Sequence, residues 1–190
     1  MADMGKEWMN MKDMGKEWMN MKDMNRDDQG FTIKQAEPKD APLALEFIRK
    51  LGVYQKMLDK VVATEQDLRA LLTSGAGEAI FGVLAGEEEE VVAFLYYYPI
   101  APGILGKKGI YIDVFYVEEH YRSMGLGKKM MRYMAQLACM RDCERLEWVC
   151  LNWNESAIDF YKKLGGDAMD MMTTYRLAAD KIQELADSEA

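Results

Sequence analysis

The chain has 190 residues, with 24 Lys and Arg against 32 Asp and Glu, giving a formal net charge of -8. At 49% hydrophobic and 29% charged, its composition is that of a soluble globular protein and excludes the disordered, collagen-like and disulfide-scaffold classes. No apolar run reaches the roughly 18 residues of a membrane helix, no charged segment followed by an apolar one marks secretion, and net acidity argues against phosphate-neutralising nucleic-acid binding. A cytoplasmic protein without a membrane or nucleic-acid partner is therefore predicted, and its acidity suits a cationic small substrate. Cys139, Cys143 and Cys150 are odd in number and lack a histidine partner at zinc spacing, which reads as reduced structural thiols with neither a disulfide framework nor a metal site.

In chain order the first feature is a direct repeat: residues 4–13, MGKEWMNMKD, recur unchanged as residues 14–23. Two copies are fewer than a solenoid needs, and a period of ten keeps no apolar stripe in register on a helix. Residues 1–30 are therefore expected to stand outside the fold as an added or duplicated leader and a polar linker, the other reading being a Met-rich adaptable binding segment. Residues 31–190 are expected to form one domain.

Residues 31–36 alternate like a strand, and Asp40, Pro42 and the stripe Leu43, Phe47, Ile48 and Leu51 predict a capped helix that ends at Gly52. Thr64 and Asp67 form a capping-box pattern ahead of Leu68, Leu71 and Leu72. Strand-like runs at 79–84 and 91–98 flank the acidic stretch 86–90, a solvated hairpin turn. A strand at 110–117 precedes a helix over 127–139 with Met130, Met131, Met134, Leu137 and Ala138 inward. A strand at 146–151, a helix at 156–164 and a weaker strand at 175–177 complete the order β-α-α-β-β-β-α-β-α-β, an α/β fold with one central mixed sheet covered by helices.

Two motifs carry chemistry. Arg122-Ser123-Met124-Gly125-Leu126-Gly127 lies between a strand and a helix, where glycines admit a ligand close to the backbone and free N–H groups at the helix start attract anions. Its spacing is not that of the dinucleotide fingerprint. The second motif runs from Asn154 through Ala157, Phe160 and Tyr161 to Gly165, with Asn154 as cap, one apolar face and a terminating glycine. By spacing alone Tyr161 is a core aromatic with a satisfied hydroxyl.

R-x-x-G-x-G after a strand, followed some thirty residues on by N-x-x-A-x-x-F-Y-x-x-x-G, resembles the GNAT superfamily of acetyl-CoA-dependent N-acetyltransferases, over essentially all of residues 31–190. Residues 111–117 (YIDVFYV), Tyr121-Arg122 and Trp153-Asn154-Glu155 are similar to its spermidine/spermine (diamine) and thialysine-acetylating branch. The resemblance implies a GNAT fold with a mostly antiparallel mixed sheet, a homodimer, and acetyl transfer from acetyl-CoA to a small primary amine by direct attack, without a metal. Phe115, Tyr116 and Val117 would bind the pantetheine arm, and Arg122, Ser123, Met124, Gly125, Leu126, Gly127 and Lys128 the pyrophosphate. Asn154, Ser156 and Ala157 would lie beside the cofactor. Tyr161 would act as general acid towards the leaving thiolate, and Asp113 as a base reached through water. Alternation places Asp113 on one face with Tyr111 and Phe115, and an acid within so apolar a strand calls for a partner or a role. An alkylamine of pKa near 10.4 costs roughly 4–5 kcal/mol to deprotonate at neutral pH, which is the work such a relay would do.

The chain departs from that branch in three places. Val114 stands where the polyamine enzymes carry a second acid, Gln55 and Lys56 make the 54–59 segment less acidic, and Ser123 replaces the first loop glycine. His120 is expected at the surface, and the cysteines are not nucleophiles. A regulatory module that only binds acetyl-CoA, and an acetyltransferase acting on protein amines or aminoglycosides, are the alternative readings.

Overall fold

A computed structural model describes residues 30–188, so the repeated leader lies outside the described residues. The chain divides into two compact units, the first ending at Val149 and the second beginning at Cys150.

The first unit holds β1 (Phe31–Gln35), α1 (Ala41–Tyr54), α2 (Glu65–Ser74), β2 (Glu78–Leu84), β3 (Glu90–Ile100), β4 (Lys108–Val117), α3 (Leu126–Met140) and β5 (Cys143–Trp148). The strands lie in the order β1-β2-β3-β4-β5; the first four are antiparallel neighbours, and β5 runs parallel to β4 after the α3 crossover. This is the expected mixed, mostly antiparallel sheet. Ala44, Leu45 and Phe47 of α1 and Leu68 of α2 pack with Ala79, Phe81, Val83, Phe94, Tyr96 and Val114 on one face. On the other face Ile80, Leu95, Tyr97 and Ile110 are fully buried, as are Leu126, Met130, Met134 and Leu137 of α3. Leu126 closes on the Gly82 position of that second face, where an added Cβ would meet its Cδ1 at 3.0 Å.

Local signals explain most boundaries. Thr64 Oγ1 accepts from Asp67 N–H at 3.2 Å while Asp67 Oδ2 accepts from Thr64 N–H at 2.9 Å, the reciprocal cap read from the sequence. Asp40 does not cap α1; its carboxylate accepts from Glu37 N–H at 2.8 Å and closes the short turn Pro38–Asp40 instead. Gly52 does not end α1, which runs on to Tyr54. It is buried, and a Cβ there would stand 2.8 Å from Val61 Cγ2 and 3.3 Å from Leu58 Cα, so it serves the close passage of the following turn rather than a stop. Gly77 works similarly, since a Cβ would lie 1.8 Å from Tyr96 Oη. The fifth strand comes three residues earlier than the apolar run suggests, and Val149 beyond it is 69% exposed.

The second unit holds α4 (Glu155–Lys163) and α5 (Ala179–Asp187). The strand expected at 175–177 does not form: these residues have no regular structure, and Tyr175 is 90% exposed. Three residues with β propensity cannot hold a strand without a partner to complete their ladder.

One polar group is built into the second face of the first unit. Arg141, 8% exposed at the end of α3, makes a bidentate pair with Glu78 at 2.6 and 2.7 Å, and Tyr97 Oη donates to Glu78 at 3.3 Å. Burial and the Glu78 charge hold the Tyr97 hydroxyl well above its ordinary pKa. Arg141→Met strands a buried carboxylate, so the midpoint of urea denaturation should drop by the equivalent of about 3 kcal/mol. Adding Glu78→Leu should recover most of that loss.

Candidate active site

Parallel pairing between β4 and β5 ends where Ile112 meets Trp148, leaving residues 113–117 with no β5 partner along that edge. On the other edge the ladder to β3 shifts at the same place: Ile112 pairs with Tyr97 and Val114 with Tyr96, so Asp113 is the extra residue of a bulge. The bulge corrects the alternation read from the sequence. Tyr111 faces Tyr98, which packs against the α1 and α2 face, whereas Phe115 faces Leu95, three residues away and therefore on the opposite face. Tyr111 and Phe115 thus part company at Asp113. Nor is Asp113 an interior acid; it is exposed, while Val114 beside it is buried to 7%.

Around the bulge stand three tyrosines. Tyr98 and Tyr111 stack with centroids 5.2 Å apart and planes at 24°. Tyr96 is buried to 8%, and its hydroxyl is raised above the usual phenol range first by burial and then by the Asp113 charge. Farther along β4, Tyr116 lies beneath the Arg122 guanidinium, 5.6 Å from its centroid, with Tyr54 of α1 at 4.6 Å. Arg122 Nε donates to Val117 O at 3.0 Å, fixing the side chain at the end of the strand.

From there the chain turns into the anion-binding motif. Ser123 and Gly125 both take left-handed backbone, at φ of 63° and 84°, and Gly125 caps α3. The first N–H groups of a helix have no carbonyl one turn earlier to accept them, so the start of α3 presents donors and the positive end of its dipole. Leu126 is buried, whereas Ser123, Met124, Gly125 and Lys128 are exposed. Gly127 is half-buried. Ser123 in place of glycine is therefore not neutral for the backbone, because a left-handed residue with a Cβ carries strain on the order of 1 kcal/mol.

In the second unit Asn154 Oδ1 accepts from Ala157 N–H at 3.3 Å and caps α4; Ser156 is exposed one position earlier. Ala157, Phe160, Tyr161 and Leu164 are all half-buried on one face, and the helix closes with Gly166 N–H to Tyr161 O at 3.0 Å beside left-handed Gly165. Burial, with a contribution from Cys150, pushes the Tyr161 hydroxyl well above an ordinary phenol, so it stays protonated across the working pH range. His120 is exposed, as read from the sequence. Among the described residues no group of three His, Cys, Asp or Glu gathers to hold a metal.

The structure thus brings Asp113, residues 115–117 and the loop from Arg122 to Lys128 together in the first unit, and Asn154, Ser156, Ala157 and Tyr161 in the second. Sequence reasoning missed the tyrosine group and the seat of Arg122. The run Tyr96-Tyr97-Tyr98 was its visible signal, since two of three consecutive strand residues must share a face. The stretch of β4 beyond the end of its β5 pairing and the amide-rich loop suit an extended arm leading to phosphates, as in acetyl-CoA.

The family model Acetyltransferase (GNAT) family matches residues 44–166. Thialysine N-epsilon-acetyltransferase from Bos taurus is 32% identical over 81% of this chain and 96% of its own length. Spermidine/spermine N(1)-acetyltransferase-like protein 1 from Homo sapiens is 28% identical over 83% of this chain and 23% of its own. Among solved structures, an aminoglycoside acetyltransferase from a soil metagenome superposes with a TM-score of 0.67 at 19% identity, over 80% of this chain and 97% of that one, a likeness of fold. With its sheet, its cap motifs and a family match over most of its length, the chain belongs to the GNAT acetyltransferase family and is an N-acetyltransferase.

Proposed function

We propose that residues 31–190 transfer the acetyl group of acetyl-CoA directly to a primary amine of a small polyamine-like or thialysine-like molecule. The observation that carries this reading is the coincidence at Ile112: the pairing of β4 with β5 ends at the residue before the bulge, where an aspartate is exposed. The names of the similar thialysine and spermidine/spermine proteins support an amine acceptor.

When bound, acetyl-CoA supplies the activated thioester. The backbone of residues 115–117 on the edge away from β3 holds the pantetheine arm, and an N–H on that edge opposes the negative charge that develops on the thioester oxygen. The loop from Arg122 to Lys128 holds the pyrophosphate through its amides and the α3 N-terminus. Asp113, exposed on the strand, takes the ammonium proton through water and releases the nitrogen lone pair for attack. Asn154, Ser156 and Ala157 line the cofactor at the start of α4, and Tyr161 donates its hydroxyl proton towards the departing sulfur. Its raised pKa suits a donor that is never lost to ionisation, although full transfer to a thiolate of pKa near 8.5 is uphill by about 2 kcal/mol or more, so the proton released by the amine must complete the balance.

The protein works as a homodimer in the cytoplasm on this reading. Met169, Met171, Met172, Tyr175 and Leu177 are more than half exposed, a concentration of apolar surface that suits a second copy, and three free thiols suit a reducing compartment.

Tyr161→Phe should lower kcat about a hundredfold while the acetyl-CoA Kd by calorimetry moves less than about threefold; unchanged turnover removes Tyr161 from the acid role. In Asp113→Asn the activity should climb with pH towards the amine pKa near 10.4, because only amine already free can react. A rate profile matching the unmodified enzyme speaks against the relay. Gly125→Ala forces a Cβ into left-handed backbone and should weaken acetyl-CoA binding about tenfold, with about 1 kcal/mol lost in stability.

A further inference from the structure

Arg122 opens the anion-binding loop, yet its side chain is engaged elsewhere. The loop leads into α3, whose Leu126 packs on the Gly82 face of the sheet, whereas the guanidinium sits on the α1 face, 4.6 Å from the Tyr54 ring centroid and 5.6 Å from that of Tyr116. Its Nε donates to Val117 O at 3.0 Å, so two rings and a carbonyl fix one side chain. The same stripe of α1 meets the end of β4 a second time. Glu46, Lys50 and Tyr54 follow one another at intervals of four, and Lys50 bonds Glu46 at 2.8 Å and Glu118 at 2.7 Å. Next after Arg122 comes Ser123, left-handed at φ 63°. A residue with a Cβ persists in that region only where its surroundings over-determine it. Tyr121 Oη bonded to Glu90 at 2.7 Å and Lys129 bonded to Phe31 O pin the flanks of the loop, but the seat of Arg122 is the anchor adjoining the strained residue.

We propose that Tyr54 of α1 is a positioning residue for acetyl-CoA: with Tyr116 it holds the Arg122 guanidinium as a strut that keeps Ser123 left-handed and the loop amides available to the pyrophosphate. Arg122 then acts on the cofactor through the backbone it fixes, not as a phosphate ligand. The inference rests on the reading of this loop as the pyrophosphate site and adds a residue from outside both motifs. A guanidinium drawn to a phosphate would have to leave two ring faces and the Val117 carbonyl, and Ser123 would lose its upstream anchor. A single ring face over a cation is worth a factor of about two to five in an equilibrium at partly exposed sites, which sets the size of the expected effect.

The test is calorimetric titration of the full chain with acetyl-CoA, which reads Kd and stoichiometry without needing an acceptor. Tyr54→Leu should raise the Kd about fivefold at the same stoichiometry, and Tyr54→Phe, which keeps the ring, should stay within about twofold of the unmodified chain. Arg122→Met should weaken binding comparably, and adding Tyr54→Leu to it should cost less than about twofold more, because the ring acts only through the guanidinium. Losses that multiply in the double variant, a Tyr54→Phe as weak as Tyr54→Leu, or a Tyr54→Leu chain that loses stoichiometry and keeps its Kd, each overturn the strut and leave the cofactor reading standing. An unmodified chain that binds no acetyl-CoA overturns the cofactor reading and the inference with it.

Discussion

Parallel hydrogen bonding between β4 and β5 cannot continue past Ile112 and Trp148, and the candidate site is organised around that break. The inserted Asp113 bends β4 and increases its twist at the point where the partner strand is lost. Beyond it β4 runs on for five residues past the end of β5, and the chain then turns into the donor-rich start of α3. One added residue thereby supplies an outward carboxylate and a change of face for every side chain that follows. Tyr97, opposite Ile112, is anchored through Glu78 to Arg141, so the sheet on the near side of the break is held by a buried ion pair rather than by apolar contact alone.

Much of the chain's acidity is locally paired. In the acidic run 87–90, Glu89 is bonded to Lys34 and Glu90 accepts from Tyr121 Oη at 2.7 Å, so the stretch read as a solvated turn is also tied to its surroundings. Glu46 and Glu118 share Lys50. The overall charge of -8 therefore says little about substrate, because several of its acids are occupied.

Much of this was legible in the chain. Alternation and helical stripes located the first five strands and the four helices that position the site, and the inward set Met130, Met131, Met134, Leu137 and Ala138 is buried throughout. The loop and cap motifs marked their positions because glycine and asparagine have few other reasons to stand there. Three features stayed out of reach for physical reasons. A bulge leaves no mark in a period of two, so Phe115 was assigned to the wrong face. Gly52 looks like a helix stop until one knows that Val61 packs over it. The 175–177 strand depended on pairing, which local propensity does not supply.

Gly77 and Tyr96 are joined by a constraint that acts on variation as well as on packing. The space a side chain at 77 would need is filled by the Tyr96 ring and hydroxyl, at 1.8 to 2.7 Å. A lineage drifting from this sequence could not enlarge residue 77 first; residue 96 would have to shorten before it. Because Tyr96 also borders the bulge, that order ties the freedom of the turn between α2 and β2 to changes beside Asp113, and chains bearing a larger residue at 77 should carry a smaller one at 96.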